Sequence, residues 1–411
     1  MSAERINTIV NAGIVTPEGL IEHGAVTIVD GRITSILPEY HPDTIDDQLT
    51  LDAQGLTAVP GFIDLHAHGL HGHNAMGTGL AGVIRALPTY GVTSFTATTL
   101  TLPYDETLRR LTEMAVVIEN PPEGANCAGI HLEGPFLSPA RPGMASAAWF
   151  ESLSWQRFSA LQNASGGRIR LVSFAPELGG AMECIPQLIA SGVIPSIGHS
   201  DATFDQVAAA VKLGLSHATH TFNAMRPLHH REPGVVGAVL YFDEITAQLI
   251  ADGIHIHPAV MAVLLRTKGL RHVALVSDAA PLAGMPDGIY KWDDSQVFVQ
   301  GGACRLADGT IAGSHALLDT GVRNLVRSVG LSLEEALIPA SRVPADLLGL
   351  RKGRLSPGYD ADIVLLDADL HPAVTIVGGK VAFSRGDTER VESVPTSTVR
   401  SPTRRTQEER G

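Results

Sequence analysis

The sequence has few cysteines and no spacing that would use them. Only three occur in 411 residues, and no two of them form a Cys-x-x-Cys pair: Cys127, Cys184 and Cys304. A disulfide framework requires a set of patterned cysteines, so none is expected here. The predicted compartment is therefore the reducing cytoplasm.

Long apolar runs are also missing. No stretch of 18 or more consecutive apolar residues occurs, so the sequence predicts no membrane-spanning helix. Residues 1–5 lack the basic-then-apolar pattern of a secretory signal. The net charge of -13 disfavours nucleic acid and anionic membranes as partners, because both repel an acidic surface. A small anionic substrate remains compatible with this charge, since a few local cationic side chains can override it.

From about residue 57 the sequence alternates short apolar strands with helical segments. The eight strand candidates are Thr57–His66, Thr93–Thr99, Cys127–Glu133, Ile169–Ala175, Val193–His199, His217–Thr221, Ala247–Asp252 and His272–Asp278. The helix candidates between them are Tyr104–Ile118, Trp155–Leu161, Met182–Ser191, Phe204–Leu213 and Pro258–Lys268. Eight such units predict an α/β fold, a (β/α)8 TIM-like barrel. No Gly-x-Gly-x-x-Gly motif follows the first strand, which leaves an open doubly wound sheet as the weaker alternative.

Both ends of the chain contain short β-strand candidates. They are Ile6–Val10, Ala25–Val29 and Ile33–Leu37, and then Ala361–Leu366, Val374–Val377 and Lys380–Phe383. Each set is too small to fold alone, so we expect both to pair in one small flanking β-sandwich domain. The predicted division is 1–56 and 351–391 for the β domain, 57–350 for the barrel and 392–411 for a disordered tail.

The first sign of chemistry is the pair His66 and His68 at the end of the first strand candidate. Residues i and i+2 of a strand point to the same face, so both imidazoles can be directed at one point. Imidazole is a good ligand for zinc and other late divalent metals. A His-x-His pair by itself is equally consistent with ordinary core or solvated histidines.

Four further strand candidates end in residues of the right type. They are His131 and Glu133 on the third, His199 on the fifth, His217 and His220 on the sixth and Asp278 on the eighth. Chemistry in this type of barrel takes place at the carboxyl ends of the strands. Because five strand ends together carry potential ligands, the sequence predicts a shared metal site.

Residue type suggests the role of each member. Glu133, His199 and His220 would supply three ligands and leave room for water, as catalytic zinc requires. The two histidines of the first strand would add a second metal position, with the two oxygens of Glu133 as the bridge. His131 faces the same way as Glu133 and is either an orienting residue or a filler of the interior.

Asp278 is the candidate general acid/base, because it can take a proton from the activated water and hand it to a leaving group. The alternative is an N-cap of the following segment.

These residues carry a family resemblance. The stretch Pro60–His68, the strand-end ligands and the final aspartate resemble the amidohydrolase superfamily. More narrowly, six segments are similar to the N-acetylglucosamine-6-phosphate deacetylase family: Gly129–Phe136, Gly198–Thr203, Thr219–Met225, Arg231–Gly234, Ala251–His255 and Ala312–Ser314. The matches run in order from about residue 57 to 315.

The resemblance implies hydrolysis of the acetamido group of an N-acetylhexosamine 6-phosphate, first of all N-acetylglucosamine 6-phosphate. The implied products are acetate and the amino-sugar phosphate, with metal-bound hydroxide as the nucleophile. The implied cofactor is one or two divalent ions, Zn²⁺ before Fe²⁺, Mn²⁺ or Co²⁺. A neighbouring subunit contributes to the phosphate site in such families, which implies a homodimer.

The resemblance also implies the substrate contacts. Asn223 and Ala224, through backbone N–H, and the side chains of Arg231 and His255 would hold the phosphate. His131 is a further candidate contact. A surface ion pair with a nearby acid is the alternative for Arg231.

The match departs from the family after Glu133. The family usually continues to a Gly-x-His whose histidine reaches a sugar hydroxyl, whereas this chain has Ala145 at that position. An alanine side chain neither donates nor accepts hydrogen bonds. The identity of the sugar and of its N-acyl group is therefore left undetermined, whereas the predicted metal chemistry is unaffected.

Two other functions remain as alternatives. An amidohydrolase for cyclic amides often bridges its metals with a carboxylated barrel lysine. The lysines here all lie outside the predicted barrel strands: Lys212, Lys268, Lys291, Lys352 and Lys380. A catalytically silent sugar-phosphate sensor is the third hypothesis, and retention of all the candidate ligands together with Asp278 argues against it.

Overall fold

The computed structural model describes residues 5–39, 49–292 and 295–386. Within these residues, eight parallel strands lie in sequence order around a nearly closed barrel. Barrel strands 1 to 8 are Phe62–Ala67, Val92–Thr98, Asn126–Glu133, Ile169–Phe174, Ile194–Ile197, His217–Ala218, Thr246–Ile250 and Val273–Val276. The predicted tail, 392–411, lies outside the described residues.

Helices cover the outside of the barrel. The α-helices are Leu80–Ala86, Tyr104–Glu119, Trp155–Ala164, Ala181–Ala190, Phe204–Lys212, Gly234–Tyr241, Pro258–Lys268, Leu318–Asn324, Leu333–Leu337 and Val343–Leu348. The 3-10 segments are Leu87–Tyr90, Ala147–Trp149 and Leu270–His272, and the π-helical ones are Leu325–Val329 and Ile338–Arg342. The main apolar core lies between the strands and this helical layer. None of the described helices is long and apolar enough to cross a membrane.

The barrel is closed by isolated contacts instead of a continuous ladder between strands 1 and 8. The backbone N–H of Asp278 donates to the carbonyl of His66 over 2.9 Å, and the N–H of His68 donates to the carbonyl of Ala279 over 2.9 Å. These contacts, together with the N–H of Gly69, which donates to the same Ala279 carbonyl over 3.1 Å, form the seam of the barrel. The seam holds His66, in strand 1, and His68, directly after it, beside Asp278.

A separate sheet flanks the barrel and is built from both ends of the chain. Its strands are Thr8–Thr16, Gly19–Val29, Arg32–Leu37, Thr50–Asp52, Thr57–Pro60, Ile363–Leu366, Pro372–Val377 and Lys380–Ser384. The predicted fold class, a TIM-like barrel with a flanking β unit, is confirmed. The domain boundaries at 56/57 and 350/351 remain predictions.

One strand prediction needs correction. The sequence placed Thr57–His66 in a single barrel strand, but the structure divides it at Gly61. Its first part, Thr57–Pro60, pairs with strands from both chain ends in the flanking sheet. A side chain at Gly61 would place its Cβ 2.1 Å from Oγ1 of Thr93, so the chain can pass this point only as glycine.

The excursion after barrel strand 8 contains an antiparallel sheet of four strands that the sequence pattern did not reveal. The strands are Gly288–Trp292, Ser295–Gln300, Ala303–Leu306 and Ile311–Ser314. A two-stranded ribbon, Gly69–Leu70 with His73–Asn74, follows barrel strand 1. Both insertions lie at the carboxyl ends of their strands, where the candidate site is located.

Candidate active site

The carboxyl ends of five barrel strands bring the predicted ligands together. His66, Glu133, His199 and His220 are all buried, with relative exposures between 0% and 9%. They share one mouth because the barrel strands are parallel. Clustering of titratable groups at this depth requires a compensating charge or hydrogen bonds.

One group of ligand atoms surrounds Oε1 of Glu133. Nε2 of His220 is 2.9 Å from this oxygen, and Nε2 of His199 is 3.4 Å from it. The two nitrogens are 3.2 Å apart. Ligands of a tetrahedral zinc ion at about 2.0–2.1 Å lie roughly 3.3 Å from one another. The three atoms are thus spaced as the ligands of one divalent cation.

A second group surrounds Oε2 of the same carboxylate. Nε2 of His66 and of His68 lie 3.5 and 3.3 Å from this oxygen, and 3.1 Å from each other. Oδ1 of Asp278 is 3.4 Å from the first nitrogen and 3.3 Å from the second. The carboxylate of Glu133 therefore faces one set of ligands with each oxygen. His66 also lies close enough to Glu133 and His220 to belong to a set with them.

The carboxylates of Glu133 and Asp278 are held in their ionised form, which favours a positive charge between them. Burial alone would raise the pKa of Asp278, but hydrogen bonding to His68 and the charges of the neighbouring imidazoles lower it. The pKa of Glu133 is likewise held well below its usual value despite burial. Burial would lower the pKa of His68, yet both carboxylates outweigh it and raise that pKa to about 10. Ionised carboxylates and facing imidazole nitrogens form a donor set that fits a divalent cation.

Backbone strain accompanies this arrangement. His199, His220 and Asp278 all have positive φ values, 45°, 28° and 52°. The left-handed region is costly for residues other than glycine, and such residues concentrate at functional sites. Each of the three lies two residues after the last residue of its strand, at the carboxyl-end mouth of the barrel.

The loop after barrel strand 3 supports His199. Nδ1 of His199 donates to the carbonyl of Arg141 over 2.9 Å, which leaves Nε2 unprotonated and directed at Glu133. A side chain at Gly143, where φ is +60°, would place its Cβ 2.8 Å from Cε1 of His199. The sequence reasoning missed this support, although the glycine before Met144 was a signal.

His131 lies below the ligands in the barrel interior and does not line the cavity. Its Nδ1 contacts the carbonyl of Leu65 at 2.9 Å, and its Nε2 contacts the hydroxyl of Ser173 at 2.7 Å. The side chain is fully buried, one strand pleat beneath Glu133. This position corrects the prediction that His131 contacts the substrate.

A cavity of about 500 Å³ opens above the ligands. The predicted contacts Asn223, Ala224, His255 and Ala145 line it. Apolar residues form much of the remaining wall: Leu100, Leu102, Leu137, Met144, Trp149, Trp292, Val297, Leu306 and Ile311. Among the residues that the structure describes, no arginine or lysine lines this cavity.

The predicted phosphate contacts Arg231 and His255 lie in different places. Arg231 is exposed, does not line the cavity, and contacts Nε2 of its neighbour His230 at 2.8 Å. The side chain of His255 is largely buried next to the ligands, with its Nε2 4.0 Å from Oδ2 of Asp278. Its Nδ1 lies 2.6 Å from Oδ2 of Asp252. That carboxylate outweighs burial and raises the pKa of His255.

Comparisons with known proteins agree with this geometry. A model of the amidohydrolase family matches residues 57–385. The N-acetylglucosamine-6-phosphate deacetylase of Bacillus subtilis (strain 168) is 35% identical over 386 residues, which are 92% of this chain and 97% of the relative. The N-acetylgalactosamine-6-phosphate deacetylase of Escherichia coli O157:H7 is 36% identical and covers 90% of this chain and 97% of its own.

A solved structure gives the same answer. A mutant N-acetyl-D-glucosamine-6-phosphate deacetylase from Mycobacterium smegmatis, in complex with N-acetyl-D-glucosamine-6-phosphate, superposes with a TM-score of 0.85. It is 31% identical, and the match covers 93% of this chain and all of that one. The chain belongs to the N-acetylglucosamine-6-phosphate deacetylase family of the amidohydrolase superfamily.

Proposed function

We propose that this chain hydrolyses the acetamido group of an N-acetylhexosamine 6-phosphate, releasing acetate and the amino-sugar phosphate. N-acetylglucosamine 6-phosphate is the first candidate substrate, because most of the similar proteins carry that activity in their names. The observation that carries the proposal is the carboxylate of Glu133, which faces a set of ligands with each oxygen at the floor of the cavity.

Two cation positions follow from the two ligand sets. Glu133, His199 and His220 would hold one divalent ion, and Glu133 with His66, His68 and Asp278 would hold a second. Zn²⁺ is the proposed ion, since nitrogen and carboxylate ligands at tetrahedral spacing suit it. A bound divalent ion supplies Lewis acidity, which polarises a carbonyl oxygen and makes a water molecule a better nucleophile.

Asp278 is the proposed proton carrier. The lowered pKa keeps its carboxylate ionised at neutral pH, so it can accept a proton from the attacking water. Its Oδ1 lies beside His66 and His68, while Oδ2 is 4.0 Å from Nε2 of His255. Oδ2 is the atom that would carry the proton to the departing amine nitrogen. The imidazole of His255 is placed to orient the reacting amide, with Asp252 holding its ring.

The phosphate site is proposed to need a second subunit. In one chain, Asn223 and Ala224 offer polar groups to the cavity, but no cationic side chain of the described residues lines it. A phosphate dianion is best held by an arginine fork. Arg231 is exposed at the surface beside His230, so we propose a homodimer in which this residue reaches the neighbouring molecule and completes the other subunit's site.

Release of acetate from a panel of sugars tests the function. The panel contains N-acetylglucosamine, N-acetylgalactosamine and N-acetylmannosamine 6-phosphates, together with non-phosphorylated N-acetylglucosamine. We expect turnover of at least one sugar phosphate, loss of turnover on chelation and recovery with Zn²⁺. The panel includes epimers because Ala145 offers no hydrogen bond to a sugar hydroxyl. Tight binding of every sugar phosphate without acetate release would refute the proposed hydrolysis and favour a sensor.

A further inference from the structure

Gln248 lies in the middle of barrel strand 7 (Thr246–Ile250) and is completely buried. Its Oε1 is 3.1 Å from Nδ1 of His66 and 3.1 Å from the backbone nitrogen of His220. A single side-chain oxygen thus contacts one residue from each ligand set. A polar residue between two apolar neighbours, Ala247 and Leu249, was the sequence signal for it.

The backbone N–H of His220 fixes the direction of the Gln248 amide. An N–H group can only donate, so the atom that faces it must be the amide oxygen and not the NH₂ group. Because that oxygen can only accept, Nδ1 of His66 must carry the proton. Nε2 of His66 then keeps a lone pair, and this nitrogen is the one directed at Glu133.

The same oxygen replaces a strand partner for His220. Barrel strand 6 has only two residues, His217–Ala218, and the backbone turns left-handed at His220 with φ of 28°. Thr221 donates its N–H to the main-chain carbonyl of Gln248 over 2.9 Å. Main chain and side chain of one residue therefore hold the strained turn that presents the imidazole of His220.

The NH₂ group of Gln248 is buried and has no hydrogen-bond partner within the described parts of the chain. The orientation that serves His66 and His220 thus leaves the residue's own donors unpaired, which is costly in a protein interior. A residue retained only for packing would gain from an apolar side chain here. The unpaired donors are expected if the residue is kept for what its oxygen does.

We propose that Gln248 is a positioning residue that sets the tautomer of His66 and the backbone of His220, and so couples the two cation positions. The inference rests on the proposed function, because it takes these imidazoles to be cation ligands. Partners of metal-binding imidazoles fix ring orientation and tautomer, and their loss typically weakens metal binding about 10–100-fold.

Zn²⁺ binding to the metal-stripped full-length chain tests the inference, measured by competition with a chromophoric chelator. We expect Gln248→Met, which has similar length but no acceptor, to bind Zn²⁺ about 10–100-fold more weakly. Gln248→Glu keeps an acceptor oxygen and should restore most of the affinity. Thr246→Val, on the same strand and face, is the matched control and should behave as wild type.

A spectroscopic measurement separates positioning from general damage. In the metal-free protein, the ¹⁵N resonances of His66 should show the Nδ1–H tautomer in wild type and Gln248→Glu, and should lose it in Gln248→Met. If the methionine variant does not fold, Gln248→Asn, one methylene shorter, takes its place in the same comparison with Gln248→Glu.

Wild-type Zn²⁺ affinity and stoichiometry in a folded Gln248→Met or Gln248→Asn variant would overturn this inference and leave the proposed function standing. A wild-type chain that binds no Zn²⁺ would overturn both.

Discussion

Replacing Asp278 by asparagine removes a proton acceptor with almost no change in shape. The carboxylate lies 3.3 Å from Nε2 of His68 and is kept ionised by the surrounding imidazoles, so it is ready to accept a proton at neutral pH. An amide cannot take this role. General acid–base catalysis typically contributes about 10²–10⁴-fold, so kcat should fall by that factor. This loss corresponds to about 3–5 kcal/mol of activation free energy.

The assay is acetate release at saturating sugar phosphate, with cation content measured on the same samples. The ligand set of Glu133, His199 and His220 does not include Asp278, so at least one cation should stay bound in the variant. Asp319→Asn is the control, because Asp319 is also buried but pairs with Arg323 instead of the candidate ligands. A variant loaded with cation that keeps kcat within tenfold of wild type would refute the assignment of Asp278 as proton carrier.

Three further predictions follow from other contacts. A pKa of about 10 means that metal-free His68 holds a proton until the pH rises through that value, so Zn²⁺ affinity should increase with pH by up to about tenfold per unit; His68→Gln should flatten this slope in titration calorimetry at several pH values. Arg231→Ala should mainly raise KM for the phosphorylated sugar in steady-state kinetics, and an equal loss with the non-phosphorylated sugar would contradict a phosphate contact. The buried carboxylate of Asp362 lies 2.5 Å from the ammonium group of Lys352. Lys352→Met leaves this carboxylate without its cationic partner and should lower the free energy of unfolding by about 3–5 kcal/mol, measured by urea denaturation. Arg327→Met, which breaks an exposed ion pair, is the control and should change stability little.

The sequence predicted best those parts of the fold whose signals are local, such as helix ends. The helix candidate Pro258–Lys268 matches the structure at both ends, with proline at its first turn and glycine after it. The predicted strand Thr57–His66 was wrong as a unit, because a continuous apolar run does not reveal that its halves pair in different sheets. Apolar content reports burial, whereas sheet membership depends on partners far away in the chain.

The candidate ligands could be placed together from sequence, because the carboxyl ends of parallel barrel strands all lie at the same mouth of the barrel. Contacts that depend on side-chain direction could not be foreseen in the same way. His131 shares the face of Glu133, yet one pleat of depth separates an interior residue from a cavity residue. Gln248 was overlooked because its role depends on a turn at His220 that no local pattern predicts.

The seam between barrel strands 1 and 8 couples ion binding to the stability of the closed barrel. His66 and His68 lie on one side of the seam and Asp278 lies on the other. An ion bound by all three would therefore link barrel strand 1 to barrel strand 8. Opening of the barrel at the seam would separate the ligands of the ion. Ion binding should therefore stabilise the closed barrel, and ion release should make opening at the seam easier. Hydrogen exchange at these two edges should therefore slow markedly when the ion is added.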